Sequence, residues 1–566
     1  MKTIISTAAT AAVALAGAFG AQAQDLSKEI TADREIVPEL APASRLNVFP
    51  KALKPDFKPV ELAPATTATM TRYNPVTARF EPVWSGRAAT LTPYRGYVDV
   101  GYFPKADFGV AAGYAPVSRD NMELDIWLNA RNSRYKAGHP ATWLMPQSEL
   151  EGDFKMFDIA GGVNFMNRFD AGTLSVSTDI DYSRYNRALT LKDQSTLGWN
   201  LGAGWHGHAA NGLDYSGAAR FGLFRFGQPS RFALMPPATP DGVPEFEILQ
   251  TGESGMRQTT VGLDFAASLP AGANGRFGLD LSGYIVGYNH GTNYSVISFT
   301  PHYRLNTGDF TARAGARFDI NINSGKTFHV APDVMLAYEP VSQFGARLTF
   351  GGGEHVNTLR ELWQLSRFVS PMYSPGPSNI PLTAQLALRV TPVGGVSLEV
   401  GGAYANAHDW LIPQWMPRGL DAYGTFAGCN VHSFKAFARL TAAWRDYVDF
   451  TAEIGSRFGD KDRTDSFWYE WRDGARTVVG ASVAIHPVRN LDITIGYEGR
   501  LDRRLMAMQE GIGLDWHNLS AGAGYRITPA LSVFARFSNL LDRRQQEFFL
   551  YSGPRFNGLF GVGYKF

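Results

Sequence analysis

Three groups of residues in this chain have types and spacings that could do chemistry. His206 and His208 stand two apart, so both imidazoles would share one face of an extended strand, as two metal ligands can. No third ligand is evident, and the pair is expected to serve the wall of a fold rather than a metal. Ser324, Gly325, Lys326 and Thr327 end like a phosphate-binding loop, but Ile320 stands where the earlier glycine belongs. That segment is expected to be a turn between strands. The third group is aromatic: Trp410, Trp415 and Tyr423 in one stretch, Phe467, Trp468, Tyr469 and Trp471 in another, and Trp363, Phe368, Met372 and Tyr373 in a third. Clustered Trp and Tyr offer stacking surface to sugars, other amphipathic ligands or protein partners. Trp410, Trp415, Trp468, Tyr469 and Trp471 are therefore the candidates for an extracellular contact, set against a structural role in an interfacial girdle and loop packing. A hydrolase would need a nucleophile, a base and an orienting group at one level of a wall, and no motif supplies them. No catalytic residue, cofactor or metal is expected.

The elements carrying these residues repeat one pattern. Phe310, Ala312, Ala314, Ala316, Phe318 and Ile320 alternate with Thr311, Arg313, Gly315, Arg317, Asp319 and Asn321. Leu174, Val176, Ile180 and Tyr182 alternate with Ser175, Ser177, Asp179 and Asp181. A period of two with one apolar face is a strand, and 122–128, 448–454 and 491–497 repeat it. Arg313, Arg317, Asp319, Asp179 and Asp181 are expected to form ladders along a wall. Tight connections at 306–308 and 445–446, and turns marked by Pro340, Pro392, Pro487 and Pro529, alternate with long ones at about 226–255, 351–382, 405–431 and 458–474. Short turns at one end and long loops at the other are the build of a transmembrane antiparallel β-barrel. Counting from Tyr94 gives about 22 strands, with 20 to 24 acceptable. An even number returns the C-terminus to the periplasmic side, where the N-terminus starts.

The two ends of the chain agree with this. Residues 1–23 hold Lys2, an Ala-rich apolar run and the small-x-small site Ala21-Gln22-Ala23, which reads as an export signal with the mature chain starting at Gln24. Residues 24–93 carry nine prolines, from Pro38 to Pro93, and are expected to be extended, in the periplasm or the lumen. Residues 94–566 form the barrel. Without Lys2 the 53 basic residues fall to 52, equal to the 52 acidic ones, and this balance gives no support for a nucleic-acid partner. No stretch reaches the roughly 18 to 20 apolar residues of a spanning helix. Cys429 is the one cysteine, so an internal disulfide is excluded. The last strand places Phe560, Val562, Tyr564 and Phe566 on one face. A terminal aromatic on such a strand looks like the signal by which barrel-assembly machinery recognises outer-membrane barrels.

A family resemblance enters at Asn539, Leu540, Leu541 and Asp542, which precede the final hairpin. This stretch is similar to the end of TonB-dependent receptor barrels, and with the strand count the likeness covers roughly 94–566. The N-terminal segment resembles plug-less receptor-like barrels of the Bacteroidetes outer membrane. The resemblance implies an integral protein of the Gram-negative outer membrane that moves solutes, energised through TonB or passive. It also implies a folded plug ahead of the barrel, and the 70 residues of 24–93 are too short for one. Glu35-Ile36-Val37 faintly echoes the strand that contacts TonB, but Pro38 follows at once and an extended tail is the expectation. Partners are then lipid, the assembly machinery and a plug-bearing or lipoprotein partner. The alternative function is a non-transporting scaffold for an outer-membrane complex, in assembly or surface lipoprotein handling. Deleting Tyr564 to Phe566 is expected to abolish membrane assembly, which immunoblots of outer-membrane fractions would check; normal levels of the truncated chain refute it.

Overall fold

Alternating residues need a surface on each side of the sheet, and the chain supplies both by closing on itself. In the computed structural model, residues 94–566 are described apart from 105–106, 120, 138–151, 187–192, 228–232, 235–245, 248–254, 366, 368–372, 419–420, 446, 460–474, 504–514, 544 and 549–550. The export signal, the Pro-rich segment and Trp468, Tyr469 and Trp471 lie outside the described residues. Twenty-two strands form one antiparallel sheet, each paired with its neighbours in the chain. The ring closes where the first strand, Gly96–Phe103, pairs with the last, Asn557–Lys565, in register from Tyr97↔Lys565 to Tyr102↔Phe560. Two short ladders, Ala233–Leu234 with Phe246–Glu247 and Gln546–Phe548 with Tyr551–Ser552, sit in connections outside the ring. No helix among the described residues is long and apolar enough to cross a membrane.

The faces follow the alternation. Phe299, Ile320, Phe328 and Tyr338 stand on the outside, 42%, 44%, 50% and 48% exposed, whereas Asp319 on the inside is fully buried. Phe560, Val562, Tyr564 and Phe566 also face outward, and Phe566 stacks on Tyr114 and Tyr564 at 6.0 and 6.3 Å between ring centres. An apolar belt around a polar interior is solvated by a bilayer, not by water. Both termini of the described barrel lie at the end where turns are short, such as Arg119 to Met122 and Val393 to Val396. Gly308, Gly395 and Arg445 take left-handed φ values of 84°, 88° and 52° in these tight connections.

One expected loop is not a loop. Residues 405–431 continue the strands Val396–Arg418 and Asp421–Trp444, which pair to Arg418↔Asp421. The hairpin outruns its neighbours: the strand Ser378–Val393 pairs only as far as His408, and Val448–Gly459 only as far as Ser433. Likewise the 351–382 connection shortens to 356–377, because 351–355 and 378–382 belong to strands. Ser324 to Thr327 is the turn expected, with Asn323 and Gly325 at φ 66° and 59°. Replacing outward Ala314 with Arg is expected to cost about 2–4 kcal/mol near the bilayer midplane. Urea unfolding in vesicles measures it, and an unchanged midpoint would mean that this face does not meet lipid.

Candidate functional site

The connection 356–377 turns into the barrel mouth, and the turn begins in the wall. Asp319 accepts hydrogen bonds from the Arg317 Nε (2.8 Å), the Glu354 backbone N–H (2.8 Å) and the Ser298 hydroxyl. Arg317 also donates to the Glu354 carbonyl at 3.1 Å, while the Glu354 carboxylate takes Asn379 at 2.8 Å and His329 at 3.1 Å. Gly353 sits at φ +113°, and a Cβ there would come within 2.5 to 2.7 Å of Arg317 and Asp319. Only glycine lets the strand end lie against that network.

Beyond it, Thr358-Leu359-Arg360-Glu361 opens a short helix, Leu359–Leu365. The Thr358 hydroxyl accepts the Glu361 N–H at 3.1 Å, and the Glu361 carboxylate pairs with His355 at 3.3 Å. Helical spacing puts Leu359, Leu362 and Trp363 on one side. They pack against inward side chains of six wall strands and their ends: Phe154, Met156, Tyr185, Phe224, Phe226, Met256, Val286, Tyr288, Tyr294 and Val296, with Leu411 and Phe426 from the long hairpin. Leu359 and Leu362 have no solvent exposure. The mouth therefore contains a hydrophobic core of its own.

Wall hydroxyls hold the loop by its backbone. Tyr185 donates to the Arg367 carbonyl, Tyr288 to the Pro375 carbonyl at 2.8 Å, and Tyr294 to the Asn357 carbonyl at 2.9 Å. Gln258 accepts the Leu359 N–H at 2.9 Å and donates to Tyr288 at 2.7 Å. Two ion pairs fix the far side. Arg360 meets Asp181 and, at 3.3 Å, Asp179. Arg367 makes a fork on both Asp158 oxygens at 2.7 and 2.6 Å, donates to Ser183 at 2.9 Å and lies 5.2 Å over the Trp363 ring. Burial works against the Arg367 charge, but the hydrogen bonds and charge of Asp158 hold its guanidinium above the ordinary value. The loop leaves the thirteenth strand of the ring, Phe344–His355, and reaches the fourth and fifth, Gly152–Phe169 and Gly172–Tyr185.

The residues singled out from sequence divide accordingly. Asp179 and Asp181 face the lumen and hold the loop, and Asp179 also accepts a wall hydrogen bond from Asn200 on the next strand at 2.8 Å. Arg313 does bridge the wall, to Asp280 and Asp333 at 2.7 Å each, and Arg317 with Asp319 aims the loop. His206 and His208 lie ring to ring at 4.9 Å, and His208 pairs with Asp214, which also takes Arg276 at 2.5 Å. No group of three metal-ligating side chains occurs among the described residues. Trp410 is 6% exposed, packed with Ala407 and Val431 and 6.0 Å from His355, so its surface is spent in packing. Trp415 lies on the long hairpin. Asn539 and Asp542, at φ 49° and 47°, build the last long-loop turn: Asn539 spans to the Arg543 carbonyl at 2.7 Å and Asp542 forks with Arg555 at 3.1 and 2.6 Å. Leu540 and Leu541 stand exposed between them. The docked helix was missed, although the Thr358/Glu361 capping pair and the spacing of Leu359, Leu362 and Trp363 were signals for it.

No family model and no curated relative matches the sequence. Solved structures share the fold. The siderophore receptor PirA from Acinetobacter baumannii superposes with TM-score 0.61 at 11% identity, over 84% of this chain and 81% of that one. A mutant of the ferric enterobactin receptor PfeA from Pseudomonas aeruginosa, in complex with enterobactin, gives 0.61 at 10%, over 83% and 81%. The FrpB iron transporter from Neisseria meningitidis gives 0.59 at 12%, over 84% and 81%. At these identities the likeness is one of fold.

Removing the buried guanidinium with Arg367→Ala is expected to weaken loop docking by about 3 kcal/mol, the lower end for a broken buried pair because Asp158 keeps some water. Hydrogen exchange of the 357–365 amides reports it: faster exchange there with an unchanged barrel is the expected result, and unaltered protection would show that the ion pair does not hold the loop.

Proposed function

We propose that this protein is an outer-membrane barrel that carries solutes across the membrane, resembling the barrel of a TonB-dependent receptor without the plug domain. The observation that carries the proposal is the pairing of a closed 22-stranded ring, apolar outside and polar inside, with a loop docked across its own mouth. A ring of this size encloses a wide lumen. A scaffold has no use for a polar lumen, whereas a transporter must both keep one and restrict it. The shared fold of siderophore receptors and an iron transporter supports the same reading. An export signal on residues 1–23 and a terminal Phe566 fit insertion by the barrel-assembly machinery. Residues 24–93 would act in the periplasm or the lumen, and a plug-bearing or lipoprotein partner would complete the closure where they do not.

The second reading, a scaffold in an outer-membrane complex, is favoured by one feature: the loop is held by many wall contacts, as a permanent seal would be. Single-channel conductance of the purified full chain in a planar bilayer separates the two, with a variant lacking 24–93 as comparison. Steady conductance from the full chain identifies a passive pore, and conductance only after the deletion makes 24–93 the stopper of a gated transporter. Silence from both variants would overturn transport by this chain alone and leave the scaffold.

A further inference from the structure

The strands that hold the docked loop on their inner side carry a different chemistry on their outer side. Lys155 stands between Phe154 and Met156, Arg184 between Ser183 and Tyr185, Arg225 between Phe224 and Phe226, and Arg257 between Met256 and Gln258. All eight flanking side chains are buried in the barrel mouth, so the four bases face outward, and all four are exposed. Arg134 and Lys136 extend the arc on the strand Met122–Ala137, where Ser133 is buried on the inner side. Two described acids share this arc, Asp153 at 2.6 Å from Arg134 and Asp193 at 2.7 Å from Arg184. Six bases against two acids leave an excess of four positive charges among the described residues.

Part of this charge is set like against like. The register puts Arg134 opposite Lys155, and Arg225 opposite Arg257. Directly opposed like charges work against a sheet. Among the described residues, neither the Arg225 nor the Arg257 side chain has a hydrogen bond or an ion pair. The arc also stops sharply. The outermost outward positions of the next four strands are Gly287, Ser295, Ile322 and Phe328, all uncharged. Its height on the wall is marked by aromatics. Tyr182 and Trp199 face outward, 37% and 38% exposed, and Trp199 meets Phe221 edge to face at 5.3 Å. Such rings mark the boundary between hydrocarbon and head groups. Arg184 lies two residues beyond Tyr182, a rise of about 6.8 Å toward the long-loop end, which brings the bases to head-group level.

We propose that this outward arc of Arg134, Lys155, Arg184, Arg225 and Arg257 binds a phosphorylated lipid of the leaflet on the long-loop side, with a head-group phosphate seated between Arg225 and Arg257. Two opposed guanidiniums offer paired N–H donors to one phosphate, and the phosphate cancels the repulsion between them. The rings below then lie against the acyl chains. The proposal needs a barrel in a bilayer but not transport, because binding is read whether or not the barrel conducts.

The full chain in neutral detergent, at about 0.1 M salt, is titrated with lipid A carrying two phosphates and with its dephosphorylated counterpart. Native mass spectrometry reads the bound lipid, and heat-modifiable mobility first shows that each variant is a closed barrel. The phosphorylated lipid is expected to bind about tenfold or more tightly than its counterpart. Arg225→Gln and Arg257→Gln, tested singly, are each expected to weaken it about fivefold, whereas Arg119→Gln at the short-turn end leaves it unchanged. Equal binding of the two lipids overturns the proposal, as does an equal loss in all three variants. Displacement of the lipid by millimolar inorganic phosphate would make free phosphate the ligand and overturns the lipid too.

Discussion

Everything in this molecule depends on closing the sheet. A bilayer offers no hydrogen-bond partner to a strand edge, so an open sheet in lipid leaves a row of backbone groups unsatisfied at several kcal/mol each. The chain meets this at one seam, where its first strand and its last run antiparallel from Tyr97↔Lys565 to Tyr102↔Phe560. The seam is tied beyond the ladder too. The Phe566 carbonyl accepts the N–H groups of Arg95 and Gly96 at 2.8 Å, and its ring lies where any Cβ at Gly96 would stand. Residues more than 450 positions apart must meet before either face of the alternation has a meaning. Until then there is neither an outside for Phe560 nor an inside for Asp319.

Closure creates the second constraint, a lumen wider than its wall side chains can fill. The mouth is filled by making the wall itself asymmetric. Near the short-turn end the inner faces are charged, as with Arg276 and Asp280; near the long-loop end the same strand turns inward Val286 and Tyr288, and its neighbour turns inward Tyr294 and Val296. A polar wall would hydrate a loop and let it move, but this apolar collar gives Leu359, Leu362 and Trp363 a place to leave water. The tyrosines then solve the problem that burial raises, since the loop carries backbone carbonyls into the collar and each must find a donor. Tyr185, Tyr288 and Tyr294 supply three.

What sequence made legible was the periodic part. Two-residue alternation gave the strands, their faces, and a count of about 22, including Gly96–Phe103 and Asp107–Arg119, where the alternation is weakest. It did not give the hairpin beyond His408, because the aromatic-rich stretch 405–431 reads as a long connection. The loop partner of Asp179 and Asp181 was equally illegible. Their alternation placed them correctly in the lumen, but Arg360 lies about 180 residues away and arrives only through the docked loop. Trp410 was legible as an aromatic in a long connection and not as a packed one, since burial is a property of the folded hairpin.

The magnitudes favour a loop that stays where it is. Undocking would expose Leu359 and Leu362, at about 1.5–3 kcal/mol for each fully buried side chain. It would also strip three carbonyls of their tyrosines, at about 1 kcal/mol each even after water replaces them, and separate Arg367 from Asp158. A solute could open such a loop only by binding the undocked state more tightly by at least that sum, because a ligand shifts an equilibrium no further than its difference in affinity for the two states. The same contacts that would make the loop a poor gate make it a fixed part of the barrel mouth.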